Sequence, residues 1–133
     1  MKPLPDVTDH PARILIVDDE DDVLDLLTVV FEKEGFRTLV AADGKTALTL
    51  AYEKTPDLIL LDVMMPEMDG WQVLKALRVD DRTARIPVAV VSARTEGRDK
   101  IIGLQEGAVS YVEKPFSPAE IVAEVRSILE KKA

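Results

Sequence analysis

The chain contains no cysteine among its 133 residues, so it has neither a disulfide framework nor a thiolate metal site. It also lacks any apolar run near the roughly 18 residues that span a bilayer, and its first residues hold no apolar segment typical of a signal peptide. Basic residues are in the minority: 17 Lys and Arg stand against 25 Asp and Glu, for a net charge of −8. This charge disfavours binding to nucleic acid or to an anionic membrane surface, and it favours cations and proteins as ligands. These absences together favour a cytoplasmic protein.

Length and composition fit one globular domain, since 47% of the residues are apolar and are evenly spread. Residues 1–12 hold three prolines and no periodic pattern, so we expect a flexible N-terminal extension there. The ordered pattern begins at Arg13, which predicts a single folded domain over residues 13–133.

Five short apolar segments alternate with five segments whose apolar residues recur at helical spacing. The predicted strands are ILIV (14–17), TLVAA (38–42), LILL (58–61), IPVAVV (86–91) and AVSYV (108–112). Helices are predicted over 21–34, after Asp43, after Asp69-Gly70, over 99–106, and after the capping-box sequence Ser117-Pro118-Ala119-Glu120. Strict alternation with short connections predicts an α/β fold, a doubly wound parallel sheet with five flanking helices. In such sheets, ligands bind beyond the carboxyl ends of the strands.

Polar residues follow the strands at those carboxyl ends. Asp18 and Asp19 follow the first strand, Asp62 follows the third, Ser92 follows the fourth, and Lys114 follows the fifth. If the first and third strands are neighbours, three carboxylates meet in one cleft, where like charges raise one another's pKa. A hard divalent cation relieves this repulsion, and oxygen ligands without His or Cys favour Mg²⁺ over zinc.

A cation, an ammonium group, a hydroxyl and a central carboxylate together suit a phosphoryl group. Asp62 could accept the phosphoryl group as an aspartyl phosphate, which is a form of covalent catalysis. Mg²⁺, Lys114 and Ser92 would then surround the phosphoryl oxygens, and phosphoryl transfer depends largely on such positioning and charge neutralisation.

Four segments, in this order and spacing, resemble the receiver domain of bacterial two-component response regulators. They are IVDDE (16–20), LDVMMPEMDG (61–70), VVSAR (90–94) and YVEKPF (111–116). The resemblance runs from about Arg13 to the end of the chain. It implies a flavodoxin-like fold with strand order 2-1-3-4-5, and a phosphoacceptor that works with Mg²⁺.

The resemblance also assigns the metal site and the acceptor. It implies that Asp62 is the phosphoacceptor and that Asp19 is the main metal-binding acid beside it. Asp18 is implied to act mostly through metal-bound water, and the backbone carbonyl of Met64 is implied as another metal ligand.

The remaining implied residues act after phosphorylation. Ser92 takes the position of the switch hydroxyl, and Tyr111 takes that of the aromatic residue that turns inward with it. Lys114 takes the position that contacts the phosphoryl group, and its peptide bond to Pro115 is implied to be cis.

The implied partners are proteins. A histidine kinase or a phosphotransfer protein would supply the phosphoryl group. A downstream protein of unknown identity would recognise the face formed by the helix predicted at 99–106, the fifth strand and the last helix. Pairing of two copies through this same face on activation is left open by the sequence, and we expect no direct contact with nucleic acid or membrane. The chain is expected to be either a single-domain regulator or a piece of a longer one.

Two side chains are expected to overhang the acceptor, because Met64 lies two residues past Asp62 and Arg94 lies two past Ser92. Neither side chain is a carboxylate or an amide that could orient an attacking water. This predicts slow self-dephosphorylation, so the chain is not expected to be an enzyme in the ordinary sense.

Two other functions remain open at this point. The run Asp19-Glu20-Asp21-Asp22-Val23 superficially fits the D-x-D-x-[TV] pattern of aspartate-nucleophile phosphatases, although it leaves LDVMMPEMDG unexplained. The other alternative is a receiver-like binding module that never accepts phosphate.

Overall fold

A computed structural model describes residues 11–64, 70–93, 105 and 107–132 of the chain. Within them, five strands form one parallel sheet in the order β2-β1-β3-β4-β5. The strands are β1 (Arg13–Val17), β2 (Arg37–Ala41), β3 (Leu58–Leu61), β4 (Val88–Ser92) and β5 (Ser110–Glu113). The predicted doubly wound sheet and its strand order are confirmed.

Four helices flank the sheet in the described part of the chain: α1 (Asp21–Lys33), α2 (Gly44–Lys54), α3 (Gly70–Val79) and α4 (Pro118–Lys132). The helix predicted at 99–106 lies outside the described residues, except for Gln105, which is helical. Most of the predicted N-terminal extension, residues 1–10, lies outside them too, so the boundary at residue 13 stays a prediction. None of the described helices is both long enough and apolar enough to cross a bilayer.

The sheet is buried on both faces because successive side chains of a strand point to opposite sides. Leu15 and Val17 of β1 pack in a core with α2 and α3, whereas Ile14 and Ile16 pack in a second core with α1 and α4. The segment Leu58–Leu61 behaves as its uninterrupted apolar sequence indicates, since all four residues are at most 2% exposed. A parallel sheet covered on both faces has this composition.

Helix starts follow the local sequence signals. The Asp43 carboxylate accepts a hydrogen bond of 2.7 Å from the Thr46 backbone N–H and caps α2. At the start of α4, the Glu120 backbone N–H donates to Ser117 Oγ at 3.1 Å and the Ser117 N–H donates to Glu120 Oε1 at 2.9 Å. Both predicted caps are therefore confirmed.

Two strands begin later than predicted. The sequence predicted β4 from Ile86 and β5 from Ala108, whereas they begin at Val88 and Ser110. Pro87 has no N–H to donate, so only its carbonyl bonds to the sheet, accepting from the Ile59 N–H at 3.0 Å. Apolar residues therefore precede the paired part of each strand, and an apolar sequence alone places the start of the strand too early.

Candidate functional site

Asp62 lies at the carboxyl edge of the sheet, directly after the buried strand β3. Its backbone N–H donates to the Val17 carbonyl at 3.0 Å, which fixes it beside the end of β1. The residue is only 4% exposed, and its Oδ1 accepts a hydrogen bond of 2.9 Å from the Met64 N–H. A carboxylate this buried requires a cationic partner.

The partner is Lys114, which follows β5. The Lys114 Nζ lies 2.7 Å from Asp18 Oδ2 and 3.3 Å from Asp62 Oδ2, although these residues are 96 and 52 positions away in the chain. The Lys114 backbone N–H donates to the Ser92 carbonyl at 2.9 Å, so pairing with β4 sets where the side chain begins. One ammonium group therefore serves two buried carboxylates.

A second acidic group lies beside this pair. Carboxylate oxygens of Asp18, Asp19 and Glu20 all lie within 4.8 Å of one another, and Glu20 Oε1 is 4.0 Å from Lys114 Nζ. Asp18 is buried, whereas Asp19 and Glu20 are exposed. Glu20 precedes α1 but makes no capping hydrogen bond with its side chain. Its carboxylate therefore adds to the negative charge of the site.

Burial and neighbouring charges affect the pKa values of Asp62 and Lys114 differently. Burial raises the pKa of the Asp62 carboxyl, and the Met64 N–H and the Lys114 charge offset this only in part. Burial alone would lower the pKa of Lys114, but its hydrogen bond to Asp18 and the charge of Asp62 raise the pKa above its usual value. Lys114 is therefore charged at neutral pH, whereas ionisation of Asp62 costs more free energy in the folded protein than in water.

The response regulator receiver domain family matches residues 14–126 of the chain. The chain belongs to this family. The predicted resemblance is thereby confirmed, and the site just described lies within the matched part of this receiver domain.

Curated relatives support the same assignment. The DNA-binding response regulator MtrA of Mycolicibacterium smegmatis is 45% identical over 119 residues, which cover 90% of this chain and 51% of that protein. The alkaline phosphatase synthesis transcriptional regulatory protein PhoP of Bacillus subtilis is 43% identical, covering 90% of this chain and 49% of its own length. The receiver domain thus spans about half the length of the curated relatives it matches.

Solved structures agree on the fold. The receiver domain of the Francisella response regulator 1452 is 35% identical, with a TM-score of 0.85, and the match covers 92% of this chain and 99% of that chain. The chemotaxis protein CheY4 of Vibrio cholerae is 29% identical, also with a TM-score of 0.85, and the match covers 89% and 98% of the two chains. The flavodoxin-like assignment is therefore confirmed.

The donor set suits a hard divalent cation. Asp18, Asp19 and Glu20 offer only carboxylate oxygens, and such ligands favour Mg²⁺ or Ca²⁺ over the softer transition metals. The negative charge around Lys114 exceeds what one ammonium group can balance. The residues present therefore fit the Mg²⁺ that the sequence predicted.

The structure describes Ser92, Tyr111, Pro115 and Met64 among the other predicted site residues. Ser92 is fully buried at the end of β4, and Tyr111 of β5 is half-buried against the core on the α2–α3 side. The Lys114–Pro115 peptide bond is cis, the conformation that the resemblance implies. Met64 is 49% exposed, and Arg94 lies outside the described residues.

Two structural features near the site were not predicted from the sequence. Glu20 was not among the predicted site residues, yet its carboxylate oxygen lies within 4.8 Å of those of Asp18 and Asp19. Gly70 was expected only to open a helix. A Cβ at Gly70 would lie 2.3 Å from Val63 Cα and 2.7 Å from the Asp62 carbonyl oxygen, so α3 begins directly against the backbone that carries Asp62. The sequence Asp-Asp-Glu was an available signal for Glu20, whereas only the structure shows the contact at Gly70.

Proposed function

We propose that Asp62 accepts a phosphoryl group from the phosphohistidine of a histidine kinase or phosphotransfer protein, and that this receiver domain is a signalling switch. The observation that supports this most is the position of Lys114 Nζ, within hydrogen-bond reach of both Asp18 and Asp62. A structural ion pair needs one carboxylate, whereas a phosphoryl site needs an acceptor, a cation and room for added negative charge.

In the proposed reaction, an oxygen of Asp62 attacks the phosphorus atom. The new O–P bond replaces the P–N bond of the phosphohistidine, and the departing imidazole keeps the electron pair and takes up a proton from solvent. The Met64 N–H holds Asp62 Oδ1, and Lys114 faces Oδ2, so the carboxylate is oriented before the donor arrives.

The acidic residues would hold Mg²⁺, with Asp19 as the main ligand, Asp18 acting through water and the Met64 carbonyl as a further ligand. When bound, the ion supplies positive charge for the phosphoryl oxygens. Lys114 would supply the second positive charge, because its Nζ lies 3.3 Å from Asp62 Oδ2. Its raised pKa keeps that charge in place throughout the physiological range.

The proposed output is a population shift between two conformations, biased by contacts that exist only in the phosphorylated state. Ser92 would move toward the phosphoryl oxygens, and Tyr111 would move into the space that it leaves. The affected face comprises the helix predicted at 99–106, β5 and α4. We propose that this face binds a downstream protein or a second copy of the domain. Light scattering with and without beryllofluoride, a phosphoryl mimic, tests the second possibility.

Nucleic acid is not proposed as a direct ligand of this domain. The relatives named as DNA-binding are about twice as long as this chain, and the receiver domain itself carries a net charge of −8. Repulsion from DNA phosphates follows from that charge.

Self-dephosphorylation is proposed to be slow. Met64 is half-exposed beside the acceptor and has no group that could orient water, and Arg94 is expected to be the second overhanging residue. Decay as fast as in receivers that carry an acid or amide at both positions would contradict this.

Incubation with Mg²⁺ and acetyl phosphate tests the acceptor. Intact-mass measurement should show one added phosphoryl group on the wild type and none on Asp62→Asn. The exposed Asp25→Asn variant is the matched control and should be modified like the wild type. Lys114→Ala should separate phosphorylation from the conformational change. Modification of Asp62→Asn to the wild-type extent would disprove the proposed acceptor.

The two alternative functions, a phosphatase and a binding module that is never phosphorylated, are tested by different observations. A phosphatase is not supported, because the matches are to response regulators and Asp21 and Asp22 lie in the first turn of α1. A binding module without phosphorylation predicts no Mg²⁺ binding, which a titration followed by the fluorescence of Trp71 would decide.

A further inference from the structure

A pocket of about 490 Å³ lies at the end of the sheet opposite Asp62. It is bounded by the connection from α3 to β4, by the entry to β5 and by the last turns of α4. Because parallel strands share one direction, the amino ends of β4 and β5 lie at the edge remote from the phosphoacceptor. The pocket is therefore spatially separate from the receiver chemistry.

The floor of this pocket is apolar and firmly packed. Ile86 and Ile128 are 7% and 8% exposed, and Pro87, which also lines the pocket, is buried. Val109, just before β5, is 51% exposed at the rim. The floor and rim together offer a surface for an apolar group.

The walls carry an excess of positive charge. Arg78, Arg85 and Lys131 line the pocket, against one carboxylate, Glu124, whose Oε2 already accepts a hydrogen bond of 2.5 Å from Ser110 Oγ. Among the residues that the structure describes, Arg85 and Lys131 form no ion pair. Unpaired cations at one pocket are notable in a chain with a net charge of −8.

One cationic wall is held rigidly. The Arg78 guanidinium donates to the Ala84 carbonyl and, at 2.8 Å, to the Ile86 carbonyl, and its Nε is buried without a partner. Gly107, with φ of +101°, covers this side chain so closely that a Cβ would lie 2.9 Å from Nε. The positive charge of Arg78 is thus fixed at one wall of the pocket.

We propose that this pocket binds a small amphipathic carboxylate. The carboxylate pairs with Arg85 and Lys131 beside the fixed Arg78, and the apolar body lies over Ile128 and Val109. The volume falls within the range of small-molecule sites, and a few polar groups over an apolar floor are typical of them. Such a ligand gives the receiver domain a second input that does not depend on Asp62.

The test uses 2-naphthoate as the probe, titrated into the ¹⁵N-labelled chain and followed by amide chemical shifts. We expect saturable binding with Kd on the order of 1 mM, with the shifts centred on Ile86, Val109 and Ser127. The double variant Arg85→Gln/Lys131→Gln should bind at least about fivefold more weakly, as expected for loss of charged hydrogen-bond donors.

Matched controls distinguish binding at the pocket from a general effect of the net charge on the affinity for an anion. Arg37→Gln/Lys75→Gln removes the same charge from two exposed positions elsewhere and should leave Kd within about twofold. The neutral probe 2-naphthalenemethanol should bind more weakly than the carboxylate, and Asp62→Asn should bind 2-naphthoate like the wild type. Unchanged binding by Asp62→Asn would show that the pocket does not depend on the proposed phosphoacceptor, so that either proposal can fail without the other.

Three outcomes would overturn the proposal: no saturation up to 10 times the expected Kd, shifts centred on another surface, or equal weakening by the two double variants. Each excludes a carboxylate site at this pocket whatever the fate of Asp62.

Discussion

Replacing Lys114 with methionine removes the ammonium group that Asp18 and Asp62 share and keeps a side chain of similar length. The two carboxylates lie 2.7 Å and 3.3 Å from the Lys114 Nζ, and the three side chains are 17%, 3% and 5% exposed. The variant therefore leaves two buried carboxylates without their cation. We expect it to lower the free energy of unfolding.

Protonation of an unpaired carboxyl group limits how much stability Lys114→Met can lose. Removing one partner of a buried ion pair typically costs about 3–5 kcal/mol. A carboxyl group left without its cation can take up a proton instead, and protonating a group of ordinary pKa 3.8 at pH 7 costs about 4 kcal/mol. With partial access to water, the expected loss for Lys114→Met is about 2–4 kcal/mol.

The loss should depend on pH in a definite direction. The pKa of Asp62 is raised in the folded state, so its charged form lowers stability above the ordinary pKa, and protonation relieves this on acidification. The raised pKa of Lys114 keeps its contribution fully present at pH 7 and below. The difference between wild type and variant should therefore be largest near pH 7 and should narrow toward pH 4.

Urea denaturation in EDTA, followed by Trp71 fluorescence at pH 7.5 and again at pH 4.5, measures both effects. Excess Mg²⁺ at pH 7.5 should recover part of the loss. The exposed Lys75→Met is the matched control and should change stability by less than about 0.5 kcal/mol. A Lys114→Met loss no larger than the control, or one that is equal at both pH values, would refute the reasoning.

Three further variants test neighbouring features by the same denaturation assay. Asp62→Asn should raise the free energy of unfolding at pH 7, since burial raises the pKa of this carboxyl, and the gain should shrink toward pH 4; a destabilised variant would contradict the sign. Gly70→Ala should cost about 2–3 kcal/mol, because a Cβ would lie 2.3 Å from Val63 Cα; an unchanged urea midpoint would show that α3 can move away. Asp43→Ala should cost about 1 kcal/mol by loss of the helix cap. Its hydrogen bonds to Thr46 lower the pKa of Asp43, so the wild-type advantage should disappear as pH falls below 3.8; a constant difference would argue against the charged cap.

Much of the fold is encoded in local signals that need no distant partner. An uninterrupted apolar segment is buried on both faces wherever helices cover both sides of a sheet, and Leu58–Leu61 does this. The reciprocal hydrogen bonds of Ser117 and Glu120 involve residues three apart, so the sequence alone specifies them. The meeting of Asp18, Asp62 and Lys114 was also predictable, because parallel strands bring their carboxyl ends to one edge.

The features that escaped prediction depend on contacts between distant segments or on competing local explanations. Acids at a helix start are common without any further role, so the sequence did not indicate that the Glu20 carboxylate lies beside those of Asp18 and Asp19. The close approach of Gly70 to Val63 depends on how α3 meets the sheet. The pocket at Arg85 joins segments that share no motif.

The arrangement around Lys114 connects stability with signalling. One ammonium group bonds two buried carboxylates, and a third carboxylate, Glu20, lies 4.0 Å away. In the proposed function, a second lysine in this cluster would occupy the space that the phosphoryl group needs. The unbalanced negative charge instead favours the binding of an external cation. Because a cation that binds only the folded state stabilises it in proportion to the logarithm of its concentration over Kd, the part of the folding stability that the cation contributes should fall with metal affinity in variants of this cluster. Burial raises the pKa of Asp62, so a bound cation would also offset the free energy that the ionised carboxylate costs in the folded state.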